Sequence, residues 1–195
     1  MTMNKEILGV ISLLVTLVQY TPYCRSIYRK QLRPHVFSYL IWGVSAGIVA
    51  VAQWSADAGP GAWAMALVAL LCFLVVGLSY RTGTRYISKG DWIAFIAAML
   101  AIPIWVLTDS PLAAVVVVTL IDIAAFYMTL RKAIVAPNEE SIRFYVLATL
   151  QYVLSILAIE SYNPTTLLNP LVLTLTSSLL IGIMAWLRLR SAPCH

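Results

Sequence analysis

Seven apolar blocks follow one another along the chain, and nearly every basic residue falls between them. The blocks cover roughly residues 6–27, 35–54, 61–80, 91–108, 111–131, 141–160 and 165–188, each close to the length an α-helix needs to cross hydrocarbon. In lipid, a helix is one of the few ways to satisfy every backbone N–H and C=O within a segment. Composition points the same way: 61% of the residues are apolar, and 13 basic and 8 acidic residues are too few to clothe a water-facing surface. A disordered chain and a soluble enzyme are excluded. The expected class is an all-α integral membrane protein.

The breaks between blocks carry turn chemistry. Ser55-Ala56-Asp57-Ala58-Gly59-Pro60-Gly61 separates the second and third blocks, Thr108-Asp109-Ser110-Pro111 the fourth and fifth, and Ser161-Tyr162-Asn163-Pro164 the sixth and seventh. Charge gives the direction. Arg25, Arg29, Lys30 and Arg33 follow the first helix; Arg81, Arg85 and Lys89 follow the third. Arg131, Lys132 and Arg143 flank the loop after the fifth, and Arg188 and Arg190 end the seventh. Only Lys5 falls on the other side, with Asp57, Asp109 and Glu160. The N-terminus is therefore expected outside and the C-terminus in the cytoplasm, with a bacterial inner membrane as the setting. Trp54, Trp63 and Trp105 at outer helix ends, with Trp92 and Trp186 at inner ones, form an ordinary aromatic belt. The first apolar run lacks a small-x-small cleavage site and is expected to stay as a helix. The net charge of +5 belongs to short loops and does not indicate a nucleic-acid partner.

A shift of 103 residues brings Val15-Thr16-Leu17 onto Val118-Thr119-Leu120. Without a gap it also pairs Pro34 with Pro137, Ser38 with Ser141, Tyr23 with Phe126, Arg29 with Lys132 and Trp42 with Tyr145. Leu74-Val75-Val76-Gly77 likewise resembles Leu179-Leu180-Ile181-Gly182. The match pairs the first helix with the fifth and the second with the sixth, in the same direction. A repeat of three spans is odd, so a second parallel copy needs one linking helix. The expected plan is two parallel three-helix repeats, 1–90 and 111–195, joined by a linker helix in 91–110. Parallel repeats of this kind build transporters with a solute site near the midplane.

In its plan and its basic loop after the first helix, the chain resembles the SWEET, PQ-loop and PnuC superfamily. That family carries Pro-Gln near the cytoplasmic end of the first helix, a basic residue seven positions on, and a Ser opening the next helix. Here Pro22 is followed by Tyr23, Arg29 stands at the basic position and Ser38 opens the second helix. In the second half Ala125 replaces the proline, while Lys132 and Ser141 remain. The resemblance implies a transporter fold. It also implies a hinge role for Pro22 in alternating access, and a solute site that pairs aromatic and Asn side chains, as Trp42 and Asn169 do in type. The superfamily includes receptor-like members, so the fold alone does not establish transport.

Polar residues inside apolar blocks are the candidate site. Asp122 is the only acid well inside a block, about 16 Å along its helix. A carboxylate there is costly, so it is expected to face the bundle interior, where holding a proton lowers the cost. Its repeat partner is Gln19. Gln151 and Tyr152 stand midway along the sixth helix, and Asn169 near the start of the seventh, before Pro170. Amides and phenols offer both donors and acceptors, which suits a small neutral polar solute such as a sugar or a nucleoside-like vitamin. The plainer reading of each amide is a bond between helices. Trp42, with Tyr39 and Ser45 near it on one face, could stack on such a solute or simply pack. Pro22, Pro103 and Pro170 are expected to interrupt their helices.

No catalytic, metal or cofactor site is expected. Cys24, Cys72 and Cys194 make no framework, and no Lys within a span could hold retinal. His35 and His195 are not paired within the membrane as haem ligands would be. The expected function is transport of a small neutral polar solute by alternating access, linked to protons through Asp122. The alternative is a receptor or scaffold of the same fold that binds without carrying. Seven spans enclose a complete site, so a homo-oligomer would be structural rather than required.

Overall fold

The computed structural model describes residues 2–31, 36–80, 89–135 and 142–191. These form seven α-helices: α1 (Thr2–Tyr28), α2 (Val36–Ser55), α3 (Trp63–Ser79), α4 (Lys89–Thr108), α5 (Pro111–Val135), α6 (Ile142–Ala158) and α7 (Pro164–Ser191). A 3-10 turn, Gly59–Ala62, precedes α3. Among the described residues there is no strand, and the seven helices fall on the seven apolar blocks. Three of them are long and apolar enough to cross a membrane, over Asn4–Tyr28, Gly59–Ser79 and Pro164–Arg190. Shorter apolar stretches run over Tyr39–Ser55, Pro111–Ala124 and Ile142–Ala158. Arg33, Arg81, Arg85, Pro34, Pro137, Ser141, His35, Cys194 and His195 lie outside the described residues.

The helix ends show why the chain turns where it does. At the end of α2, Ala58 N–H donates to Gln53 O (2.9 Å) and Asp57 N–H to Trp54 O (3.2 Å), with Asp57 at φ 58°. This left-handed cap is one that Asp tolerates better than most residues. Lys30 ends α1 in the same way. Asn163 starts α7: its Oδ1 accepts from Thr166 N–H (3.1 Å), its own N–H donates to Thr166 Oγ1 (3.1 Å), and Pro164 takes the first helical position. The expected interruptions at Pro22, Pro103 and Pro170 are absent. Each proline lies inside a continuous helix, because its neighbours keep helical geometry around the one missing donor.

α3 packs against both α1 and α2, and α7 packs against both α5 and α6. Across the middle, α1 lies on α6 and α2 on α5, while α4 lies against α5 and α2. Small residues set the close contacts. A Cβ at Gly9 would come within 2.7 Å of Pro60, and one at Gly61 within 2.6 Å of Ile159. The main core joins Tyr20, Tyr39, Val49, Cys72 and Val118, drawn from α1, α2, α3 and α5, with Phe144 and Tyr152 of α6 against it. Trp54, Trp92 and Trp186 are exposed, as belt residues would be.

Candidate functional site

Asp122 projects from the inward face of α5, below Val115, Val118 and Thr119, which are all buried. Asn169 of α7 donates from Nδ2 to Asp122 Oδ2 (2.9 Å) and to Thr119 Oγ1 (3.2 Å). Asn169 is fully buried, and its Oδ1 has no hydrogen-bond partner among the described residues. Asp122 also stands close enough to Tyr152 of α6 and Cys72 of α3 to interact electrostatically. Cys72 Sγ lies 3.7 Å from Tyr20 Oη of α1. The carboxyl is thus bonded across α5 and α7, with groups of α3 and α6 within electrostatic range.

Gln19 of α1 precedes Tyr20, whose Oη reaches Cys72 Sγ. Gln19 is buried, with its Oε1 unpartnered among the described residues. Of the expected site residues, the structure brings Asp122, Asn169 and Tyr152 together. Gln151 stays on its own helix: it is buried, and its Nε2 reaches Ser155 Oγ at 3.4 Å, a long contact.

Trp42 stands apart from Asn169. Gln53 Nε2 donates to Thr166 O (3.0 Å), which fixes α2 against α7. Trp42 lies about 16 Å from that contact along α2, whereas Asn169 is less than a turn from it along α7. Trp42 instead makes an edge contact with Tyr39 at 5.1 Å, and Tyr39 pairs with Tyr23 at 5.6 Å. Phe144 adds rings against Tyr20 (5.8 Å) and Tyr23 (6.2 Å). The result is an aromatic group drawn from α1, α2 and α6.

The two ends of the bundle differ. At the end bearing Lys5, the α2–α3 and α6–α7 hairpins are stitched together. Glu160 N–H donates to Ala58 O and Ser161 N–H to Asp57 O, both at 3.1 Å, and Asn163 Nδ2 donates to Ala56 O at 3.0 Å. Lys5 Nζ donates to Ile159 O and sits over the Tyr162 ring. At the other end Ile27, Tyr39, Ser79, Leu180 and Met184 are buried as well, while Trp42 is 37% exposed. Asp122 on α5 and Tyr145 on α6 are half-buried. Two hollows of about 300 and 430 Å³ lie elsewhere on the surface, one beside Trp54 and one beside Trp186.

Thr119, Tyr20 and Cys72 belong to this cluster although the sequence did not single them out. Thr119 precedes Asp122 by one helical turn, a spacing that places both on one face. Tyr20 and Tyr23 share the same spacing. Among the described residues, no three His, Cys, Asp or Glu side chains group closely enough to hold a metal ion. No family model, curated protein or solved structure matches the chain.

Proposed function

We propose that the chain is a membrane transporter of a small polar solute, with its site at the Asp122–Asn169 cluster. In this reading the seven helices are seven spans. The α1–α3 and α5–α7 groups are two parallel repeats, and α4 links them. The equivalent packing of α3 and α7, and of α1 on α6 and α2 on α5, supports that plan. So does the resemblance to the SWEET, PQ-loop and PnuC superfamily in the charges around Pro22.

The observation that carries the reading is the set of unspent polar atoms. Buried acceptors normally find donors, because leaving one bare costs about 1–3 kcal/mol. Asn169 Oδ1 is bare beside an intramembrane carboxyl, and Gln19 Oε1 is bare on α1. A solute donating to them would recover that cost. The amides and phenols suit a solute without net charge, and Asp122 then carries the proton. In this reading the stitched end is a closed face, held by Glu160, Ser161 and Asn163 on the end of α2.

Uptake into proteoliposomes, screened over sugars, nucleosides, vitamins and amino acids, tests this. Asp122→Asn is expected to fold and to lose the dependence of uptake on a proton gradient. Uptake by the variant that still follows the gradient would remove Asp122 from coupling. A panel in which some solute binds and none crosses would instead favour a receptor.

A further inference from the structure

The charge balance around Asp122 says more about what the cluster can hold. No Lys or Arg occurs in α2 or α3, and in α5 and α7 the first ones are Arg131 and Arg188, near the far helix ends. The neighbours of the carboxyl are an amide, hydroxyls, phenols and a thiol, none of which bears positive charge at neutral pH. Its donor among the described residues is Asn169 Nδ2, and that nitrogen is shared with Thr119. The bare buried atom beside the carboxyl, Asn169 Oδ1, is an acceptor. On α1, α2 and α6 lie the faces and edges of Tyr20, Tyr23, Tyr39, Trp42 and Phe144, spaced 5.1–6.2 Å apart. An anionic group, a spare acceptor and π-faces all call for the same complement. A group that is positively charged and rich in N–H donors satisfies all three.

We propose that the cluster is an organic-ammonium site, in which a protonated amine takes the place of the proton on Asp122. The ammonium donates to Asp122 and Asn169 Oδ1, and the attached apolar part rests against the aromatic group. The inference rests on reading the cluster as a solute site, and replaces the uncharged solute of that reading by a cationic one. A neutral solute travels with a protonated Asp122; a cationic one travels with the carboxylate. Either way the buried group is neutralised, as its surroundings require.

The test uses the purified full chain and two probes of nearly the same shape, benzylammonium and benzyl alcohol. Benzylammonium well above its dissociation constant is expected to raise the thermal midpoint by about 5 °C, and benzyl alcohol to leave it nearly unchanged. In Asp122→Asn the two probes are expected to behave alike. Equal shifts from both probes in the unmodified chain would overturn the proposal, whether or not the variant folds. So would an ammonium shift that persists undiminished in a folded Asp122→Asn. Vesicle uptake separates this from the transport reading. An ammonium shift without any flux sinks transport and keeps the cation site. Flux of a neutral solute without an ammonium shift does the reverse.

Discussion

Asn169 donates from one nitrogen to two oxygens and leaves its own oxygen bare, so its removal affects several groups at once. Asn169→Leu keeps the volume but strips Asp122 of its amide donor. We expect a loss of about 1–3 kcal/mol, read as a fall in the thermal midpoint of the purified protein. Thr119→Val removes only a neutral 3.2 Å contact and should cost about 1 kcal/mol or less. Equal losses would mean that the hydroxyl, and not the carboxyl, is what Asn169 serves. Asp122 and Asn169 were legible one at a time, since an acid or amide in an apolar block stands out. Their pairing was not, because it joins residues far apart in the chain. Thr119 left no mark because threonines are common in such helices and usually bond their own backbone, as Thr174 and Thr176 do in α7. Trp42 shows the opposite failing. Its residue type matched a family pattern with Asn169, but depth along two antiparallel helices separates them.

At the scale of elements, turn chemistry was the most readable part. Asn163-Pro164 signals a helix start, and the structure adds that the same side chain ties α7 to the end of α2 through Ala56 O. Asn163 therefore has two separable jobs. Asn163→Ala loses both the cap and the tie, and should cost about 1–2 kcal/mol. Asn163→Asp keeps the capping oxygen and loses only the donor to Ala56 O, so its cost should be smaller, about 1 kcal/mol. Chemical denaturation of the two variants checks the order, and a costlier Asp variant would show that the tie outweighs the cap. The prolines were misjudged at this scale. A missing donor suggests a broken helix, yet α1 runs through Pro22, where Ser26 Oγ still donates to Pro22 O at 2.9 Å. A hinge role for Pro22 thus needs motion rather than a visible break. Pro22→Ala restores a backbone donor and should raise the midpoint while slowing uptake. A raised midpoint with unchanged uptake would leave Pro22 as a static feature.

For the whole molecule, the shift of 103 residues pairs α1 with α5 and α2 with α6 in the sequence. It did not reveal how one end is closed. That closure runs largely through main-chain atoms, Glu160 to Ala58 and Ser161 to Asp57, and backbone groups leave no residue-type signature. Along α2, Gln53, Val49 and Ser45 are buried and Trp42 is exposed, with Ile41 and Tyr39 buried beyond it. If a solute path runs along this helix and opens at Trp42, single cysteines placed along it must react in order. In a chain with Cys24 and Cys194 replaced by Ser, Trp42→Cys should react with a membrane-impermeant thiol reagent added from the cytoplasmic side. Val49→Cys should stay silent from both sides. Cutting the stitching with Gln53→Ala and Asn163→Ala should then expose Val49→Cys to reagent from the Lys5 side and slow the reaction at Trp42→Cys, because opening one face closes the other in alternating access. Reaction at both positions together would instead mean that the stitching holds the bundle shut without coupling its two ends. In that case the molecule binds its solute in a cup, and transport is not its work.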